Sequence, residues 1–243
     1  MRRDARSFAG GYHVRMLHEE HLPEPLPADP VLWLARWLGE ATAARLQPNP
    51  NAMVLATVAS NGAPSARVVL CKQIEPGPGY VTFFTNYQSR KGHELAANPR
   101  AAAVMHWDAM HRQVRLEGLI TRSSAQQSDA YFESRAWQSR IGAWASEQSA
   151  AVASRAELER AAEAAAQRYG APSPLTQSSQ PLAAGVHIPR PPHWGGYQLW
   201  LDTVELWVEG AARLHDRARW QRTLEPSSDS YVGGAWSSTR LQP

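Results

Sequence analysis

The spacing of apolar positions changes along the chain, and each change marks an element. Asp29–Pro30 reads as an N-cap followed by proline at the first helical position, after which Leu34, Trp37, Leu38 and Ala41 recur at helical spacing. Met53 to Val58 is β-prone, and Asn61–Gly62 supplies a tight hairpin turn into a second strand over Ser65 to Ile74. The turn-forming run from Glu75 to Gly79 leads into a third strand, Tyr80 to Thr85. A short helix is expected over Gln88 to Ala97, then strands over Ala101 to Trp107 and Gln113 to Thr121. Helical patterns follow over Ser124 to Arg135, around Ile141 to Trp144, and over Ala151 to Tyr169. Tyr197 to Leu201 and Val204 to Val208 read as paired strands, and Arg219 to Thr223 as one more.

This pattern predicts a mainly β chain with flanking helices, a small antiparallel barrel with helical decoration. Residues 1–28 carry scattered proline and histidine and are expected to be a flexible N-terminal segment. Residues 29–243 are expected to form a single domain, with a mobile, exposed loop at about 170–192, where Pro, Ser and Ala dominate. No apolar run reaches the ~18 residues of a membrane span, and Met1 to Gly11 has no hydrophobic signal region.

Composition excludes several classes. Cys71 is the sole cysteine, which rules out an intrachain disulfide framework and a multi-cysteine zinc site, so no metal is expected and a reducing cytoplasm is the simplest home. The net charge of +3 comes from arginine spread along the chain, not from a basic block, and gives nucleic-acid binding no support. Of the 25 Lys and Arg side chains only Lys72 and Lys91 are lysine. Lysine offers a compact, freely rotating ammonium where arginine offers a planar fork, so both positions are candidates for contact with an anion or a ring heteroatom.

Those lysines sit in chemically loaded stretches. On a regular strand Arg67 and Lys72, five apart, face opposite sides. Thr85 to Lys91 places hydroxyls, backbone N–H groups and two cations at a strand-to-helix junction, which suits a phosphate. Tyr131 and Arg135 lie four apart on one helical face, with Ser139 just beyond, and suit a second phosphate. Arg213, His215 and Arg217 share a face if their backbone is strand-like, an arrangement whose charge repulsion favours an anionic ligand.

Taken in order, Arg67–Lys72, Phe83–Asn86 with Ser89–Lys91, Arg112–Val114, Tyr131–Arg135, Ser139–Trp144, Gln148–Ser149, Trp194–Gly196, Arg213–Arg217 and Arg240–Pro243 resemble the pyridoxine/pyridoxamine 5'-phosphate oxidase family from about residue 29 onward. The resemblance implies an FMN-binding split β-barrel, antiparallel and Greek-key-like, working as a homodimer with the cofactor at the subunit interface. It implies FMN contacts from Arg67, Val68, Val69, Leu70, Cys71, Lys72, Phe84, Thr85, Arg90, Lys91, Gln113, Gln148, Ser149, Trp207 and Arg217. It implies that Lys72, Tyr131, Arg135 and Ser139 clamp the substrate phosphate, while Arg213, Leu214 and His215 flank the pyridine ring, with Arg213 and His215 nearest the chemistry. The implied reaction is oxidation of pyridoxamine or pyridoxine 5'-phosphate by molecular oxygen to pyridoxal 5'-phosphate, with release of hydrogen peroxide. Phe84 departs from the pattern, since the family often has tyrosine there, and the loop at 170–192 is longer than usual. Competing classes are a split-barrel enzyme for another substrate such as a phenazine precursor, a non-catalytic flavin or vitamer binder, and a Trp-rich RNA-binding module.

Overall fold

A computed structural model describes residues 20–176 and 181–243. Helix α1 (Pro30–Ala44) starts at Asp29, whose carboxylate accepts from the Val31 N–H at 2.8 Å, and it buries Val31, Leu34, Trp37 and Ala41. Strands β1 (Ala52–Val58) and β2 (Pro64–Leu70) form the expected hairpin. β2 then ends, and the short β3 (Gln73–Glu75) pairs with β4 (Tyr80–Asn86) instead. The single strand expected over Ser65 to Ile74 is therefore two. The Cys71 N–H donates to Asn51 O and the Lys72 N–H to Thr82 O, so the chain changes pairing partner within one residue.

Helix α2 (Arg90–Ala97) is followed by β5 (Arg100–Trp107) and β6 (Arg112–Arg122). Then come α3 (Ala125–Ser134), opened by a Ser124–Gln127 capping box, and α4 (Trp137–Ala145). Helix α5 (Arg155–Arg168) begins later than Ala151 because Ser154 caps it.

Strand β7 (Trp194–Val208) corrects another expectation. It is one strand of 15 residues, not a pair. The polar Asp202–Thr203, between the two expected strands, sits where the β6–β7 register shifts at Glu117/Gly118. Gly118 is required there, because a Cβ would lie 1.8 Å from Trp200 O. On its other side β7 pairs with β4 through its first half and with β8 (Asp216–Gln221) through its second. A hairpin of β9 (Leu224–Ser227) and β10 (Ser230–Gly233) precedes β11 (Ser237–Leu241), which pairs with β8.

The resulting nine-stranded antiparallel sheet runs β11-β8-β7-β6-β5-β1-β2, with β4 branching from β7 and carrying β3, and curls into a half-barrel. Leu55, Phe83, Met105, Leu116, Leu199 and Leu206 are fully buried in its core together with Leu34 and Trp37 of α1. Each such side chain contributes roughly 1.5–3 kcal/mol of transfer free energy. A second cluster joins Phe132, Trp137 and Ile141 of α3 and α4 to Trp194 and Ile188. Ile188 belongs to the stretch expected to be an exposed loop. From residue 181 onward that stretch is packed in part, with Pro189 O accepting from Trp144 Nε1; residues 177–180 lie outside the described residues. Of the N-terminal segment, residues 1–19 also lie outside them. Beyond these, Leu22 is buried, its N–H donates to Asp216, and Glu20 pairs with Arg112. Among the described residues no helix is long and apolar enough to cross a membrane.

Candidate functional site

A cleft of about 1060 Å³ is lined by residues from β2, β4, α2 and the α3–α4 junction. It gathers Arg67, Val68, Val69, Leu70, Lys72, Phe84, Thr85, Arg90, Lys91, Tyr131, Arg135, Ser139, Gln148 and Ser149 from the expected set. Arg67 and Lys72 line the same cleft, contrary to the regular-strand expectation, because the strand breaks between them. Cys71 does not line it. Its thiol is buried and points to Gln73 O, its backbone N–H and C=O bond with Asn51, and burial pushes the thiol up to about 12.

One end of the chemistry is built on the start of α2. Ser89 caps the helix, and the Arg90 N–H donates to Ser149 Oγ at 3.2 Å. Ser149 adopts φ 77°, a strained setting for a residue other than glycine, which lets its loop present Gln148 and Ser149 together. Lys91 is buried, and its Nζ donates to Thr85 Oγ1, Ser89 Oγ and Gln148 Oε1 at 2.7–2.9 Å, all neutral oxygens. Burial, assisted by repulsion from Arg67 and opposed by Glu94, lowers its pKa to about 8. A buried ammonium ringed by neutral acceptors, beside two arginines and a helix N-terminus, fits the phosphate of a flavin mononucleotide.

Glu94, one turn along α2, was not singled out by sequence reasoning. Its Oε1 accepts from Arg90 Nε at 2.8 Å and its Oε2 from Arg67 Nη2 at 3.1 Å, with Ser65 and Thr57 also donating to Oε2. Burial raises its pKa, but the hydrogen bonds from Ser65, Thr57, Arg90 and Arg67 outweigh that and hold it at about 2. The i,i+4 spacing of Arg90 and Glu94 was the available signal.

A second set of cations lies around the α3–α4 junction. Arg135 is the C-cap of α3 with extended backbone, so it leaves the helical face that was expected to carry it with Tyr131. Its guanidinium lies 4.6 Å from the Trp194 ring and 5.5 Å from that of Phe132. The Phe84 ring stacks on Tyr131 at 4.0 Å, and Lys72 Nζ lies 5.8 Å from the Tyr131 ring. Arg135 Nη1 is buried with no hydrogen-bond partner among the described residues, and burial lowers this arginine's pKa. A buried, unpartnered N–H of a half-buried guanidinium on a cleft wall is a donor suited to an anion.

The remaining expected residues are elsewhere on the protomer. Gln113, Trp207 and Arg217 occupy one row across β6, β7 and β8, since Gln113 pairs with Trp207 and Trp207 with Arg217. The His215 ring lies 4.6 Å from that of Trp207, and its Nδ1 accepts from the Gly210 N–H, which leaves Nε2 to carry the proton of the neutral ring. Arg213 and Leu214 sit in a 3₁₀ turn and its cap, not on a strand, and Ala212 and Arg213 have φ 51° and 64°. The expected shared face of Arg213, His215 and Arg217 is thus replaced by a tight turn that leaves Leu214 73% exposed. Arg217 is held by Glu205 at 2.8 Å. None of Gln113, Trp207, Arg213, Leu214, His215 or Arg217 lines the cleft.

Residues 38–169 match the family described as pyridoxamine 5'-phosphate oxidase, and residues 194–243 match the pyridoxine 5'-phosphate oxidase C-terminal dimerisation region. A pyridoxine/pyridoxamine 5'-phosphate oxidase of Burkholderia cenocepacia is 48% identical over 215 residues, 88% of this chain and 89% of the relative. One of Cupriavidus necator is 46% identical at the same coverage. Among solved structures, PhzG from Burkholderia lata 383, in complex with tetrahydrophenazine-1-carboxylic acid, has a TM-score of 0.74 at 30% identity, covering 89% of this chain and 94% of that one. A pyridoxamine 5'-phosphate oxidase-related, FMN-binding protein of Nostoc punctiforme shares the fold with a TM-score of 0.60 at 16% identity, covering 88% and 97%. Family matches along both parts of the chain, with close relatives covering most of it, show that it belongs to the pyridoxine/pyridoxamine 5'-phosphate oxidase family of oxidoreductases.

Proposed function

We propose that the chain oxidises pyridoxamine and pyridoxine 5'-phosphate to pyridoxal 5'-phosphate with FMN and molecular oxygen, as a homodimer. The observation that carries this reading is the presence of two separate cation groups on one cleft: Arg67, Arg90 and Lys91 for a cofactor phosphate, and Arg135 with Lys72 for a substrate phosphate. Bound FMN would supply the electron acceptor for oxidation at the carbon beside the pyridine ring, and oxygen would take the electrons on. The work of the chain is placement. Lys91, Thr85, Gln148 and Ser149 hold the cofactor phosphate, while Val68, Val69 and Leu70 on the edge strand β2 give the isoalloxazine ring an apolar wall. Arg135, Tyr131 and Ser139 anchor the substrate phosphate at a fixed distance from that ring, and Lys72 reaches between the two. The row of Gln113, Trp207 and Arg217, with Arg213 and His215 beside it, completes the cleft of a second copy of the chain. Arg213 orients the reacting carbon there, and His215 offers Nε2–H to the ring.

The PhzG structure supports a second reading, in which the same cleft takes a carboxylated phenazine precursor and Arg135 holds its carboxylate. The relatives named for vitamin B6 phosphates are more similar, at 48% against 30% identity, and they favour the first reading. Oxygen uptake by the flavin-loaded protein decides between them. Turnover of pyridoxamine 5'-phosphate is expected, with an absorption spectrum of bound flavin and preference for FMN over riboflavin of at least about tenfold, since each charge-assisted hydrogen bond contributes roughly 1.5–3 kcal/mol. Turnover of tetrahydrophenazine-1-carboxylic acid alone overturns the proposal.

A further inference from the structure

A carboxylate bonded to two cations of a phosphate cradle is at first sight misplaced, because it repels the ligand. Glu94 is 5% exposed and faces the group that would hold the cofactor phosphate. Each of its oxygens takes one arginine: Oε1 receives Arg90 Nε and Oε2 receives Arg67 Nη2. Thr57 and Ser65, on the paired strands β1 and β2, donate to the same Oε2, and both also accept from the Arg67 guanidinium. Arg67 is thereby locked at both Nη groups, with Leu55 O as a further acceptor. Arg90 is held only at Nε. Its side chain is 60% exposed, and its Nη groups have no partner among the described residues.

We propose that Glu94 is a positioning residue of the cofactor-phosphate cradle, holding Arg67 and Arg90 by one oxygen each and trimming three positive charges to two. The proposal rests on the reading of this end of the cleft as a flavin phosphate site. Two features of the geometry support it. Arginine side chains carry large rotamer freedom, and fixing both before the ligand arrives removes an ordering cost that binding would otherwise bear. A phosphate monoester near pH 7 carries −1.5 to −2 charge, so Arg67, Arg90 and Lys91 offset by one carboxylate match it, where three uncompensated cations close together would repel one another and splay. The Arg67–Glu94 pair is mostly shielded from solvent, so salt screens it less than the Arg90–Glu94 pair, whose arginine is exposed.

Apoprotein titrated with FMN and with riboflavin, for the wild type, Glu94→Ala and Glu94→Gln, tests this. Glu94→Ala is expected to weaken FMN at least about tenfold and to leave riboflavin unchanged. Glu94→Gln keeps the chain length and one acceptor oxygen, so it is expected to recover part of the loss, again on FMN alone. A purely structural role would weaken both flavins in the same proportion, and that result overturns the proposal. So does Glu94→Ala binding FMN as tightly as the wild type or more so, which would make the carboxylate only a repulsive charge. If Glu94→Ala does not fold by thermal unfolding of the apoprotein, the Gln variant decides: a loss confined to FMN supports the role, and no loss rejects it. A wild type that does not distinguish FMN from riboflavin instead removes the flavin-phosphate reading itself.

Discussion

Lys91 carries the clearest consequence at the scale of one residue. Its pKa of about 8 lies below the 10.5 of a free lysine because burial, with Arg67 nearby, penalises the ammonium. Between pH 8 and 10.5 the unfolded chain holds a proton that the folded apoprotein has released, so Lys91 makes the fold more stable as pH rises through that window. At neutral pH its burial is a cost. A phosphate dianion in the cradle reverses the preference and favours the ammonium. Glu94 is ionised throughout that window, and the phosphate has already lost its second proton near pH 6. FMN binding near pH 9 is therefore expected to take up protons, measured by calorimetry in buffers of different ionisation enthalpy, and Lys91→Met should abolish the uptake. Uptake that survives in the variant would assign the proton to another group. The sequence singled out Lys91 through the scarcity of lysine. Its neutral partners Gln148 and Thr85 come from distant segments, and only the fold shows that they converge.

At the scale of elements, turn chemistry was the most readable signal. Asp29–Pro30 and Asn61–Gly62 both stand where their backbone preferences put them. What escaped the pattern were irregularities inside strands. The break at Cys71–Lys72 arises from a change of pairing partner, and the continuity of β7 through Asp202 depends on a register shift in its neighbour, neither of which local periodicity encodes. Gly92 shows how tightly α2 is seated. A Cβ at this position would lie 2.0 Å from Tyr87 O, a backbone atom that cannot step aside cheaply. Helix propensity alone favours alanine over glycine by roughly 0.8–1 kcal/mol, but overpacking costs about 1–3 kcal/mol and decides the sign. Gly92→Ala is expected to lower the midpoint of thermal unfolding and to weaken FMN by shifting Arg90 and Lys91. Gly39→Ala in α1, where nothing lies within 4 Å of the added Cβ, is expected to raise the midpoint. Equal effects of the two substitutions would refute the seating argument.

At the scale of the molecule, the motifs along the chain indicated which residues act together, but not that one protomer separates them into two groups. Arg67, Arg90, Lys91 and Arg135 share a cleft, whereas Gln113, Trp207, Arg213 and Arg217 gather across β6, β7, β8 and the turn before it. Linear order does not reveal this split, because residues of the two groups alternate along the sequence. A homodimer in which each copy lends its second group to the other's cleft reconciles the motif set with this geometry, and it makes a quantitative demand. Arg135→Ala damages only the first group and Arg213→Ala only the second, so either variant alone has two defective sites per dimer. In a heterodimer of the two, one site draws its cleft from the Arg213→Ala chain and its second group from the Arg135→Ala chain, and is intact; the other carries both lesions. Random reassortment makes half of all dimers heterodimers, so equal co-expression is expected to restore about a quarter of wild-type activity. Separating tagged heterodimers should raise the recovery to about a half. If each site were built within one chain, the mixture would be no more active than its parents, and steady-state oxygen uptake on the co-expressed pair distinguishes the two architectures.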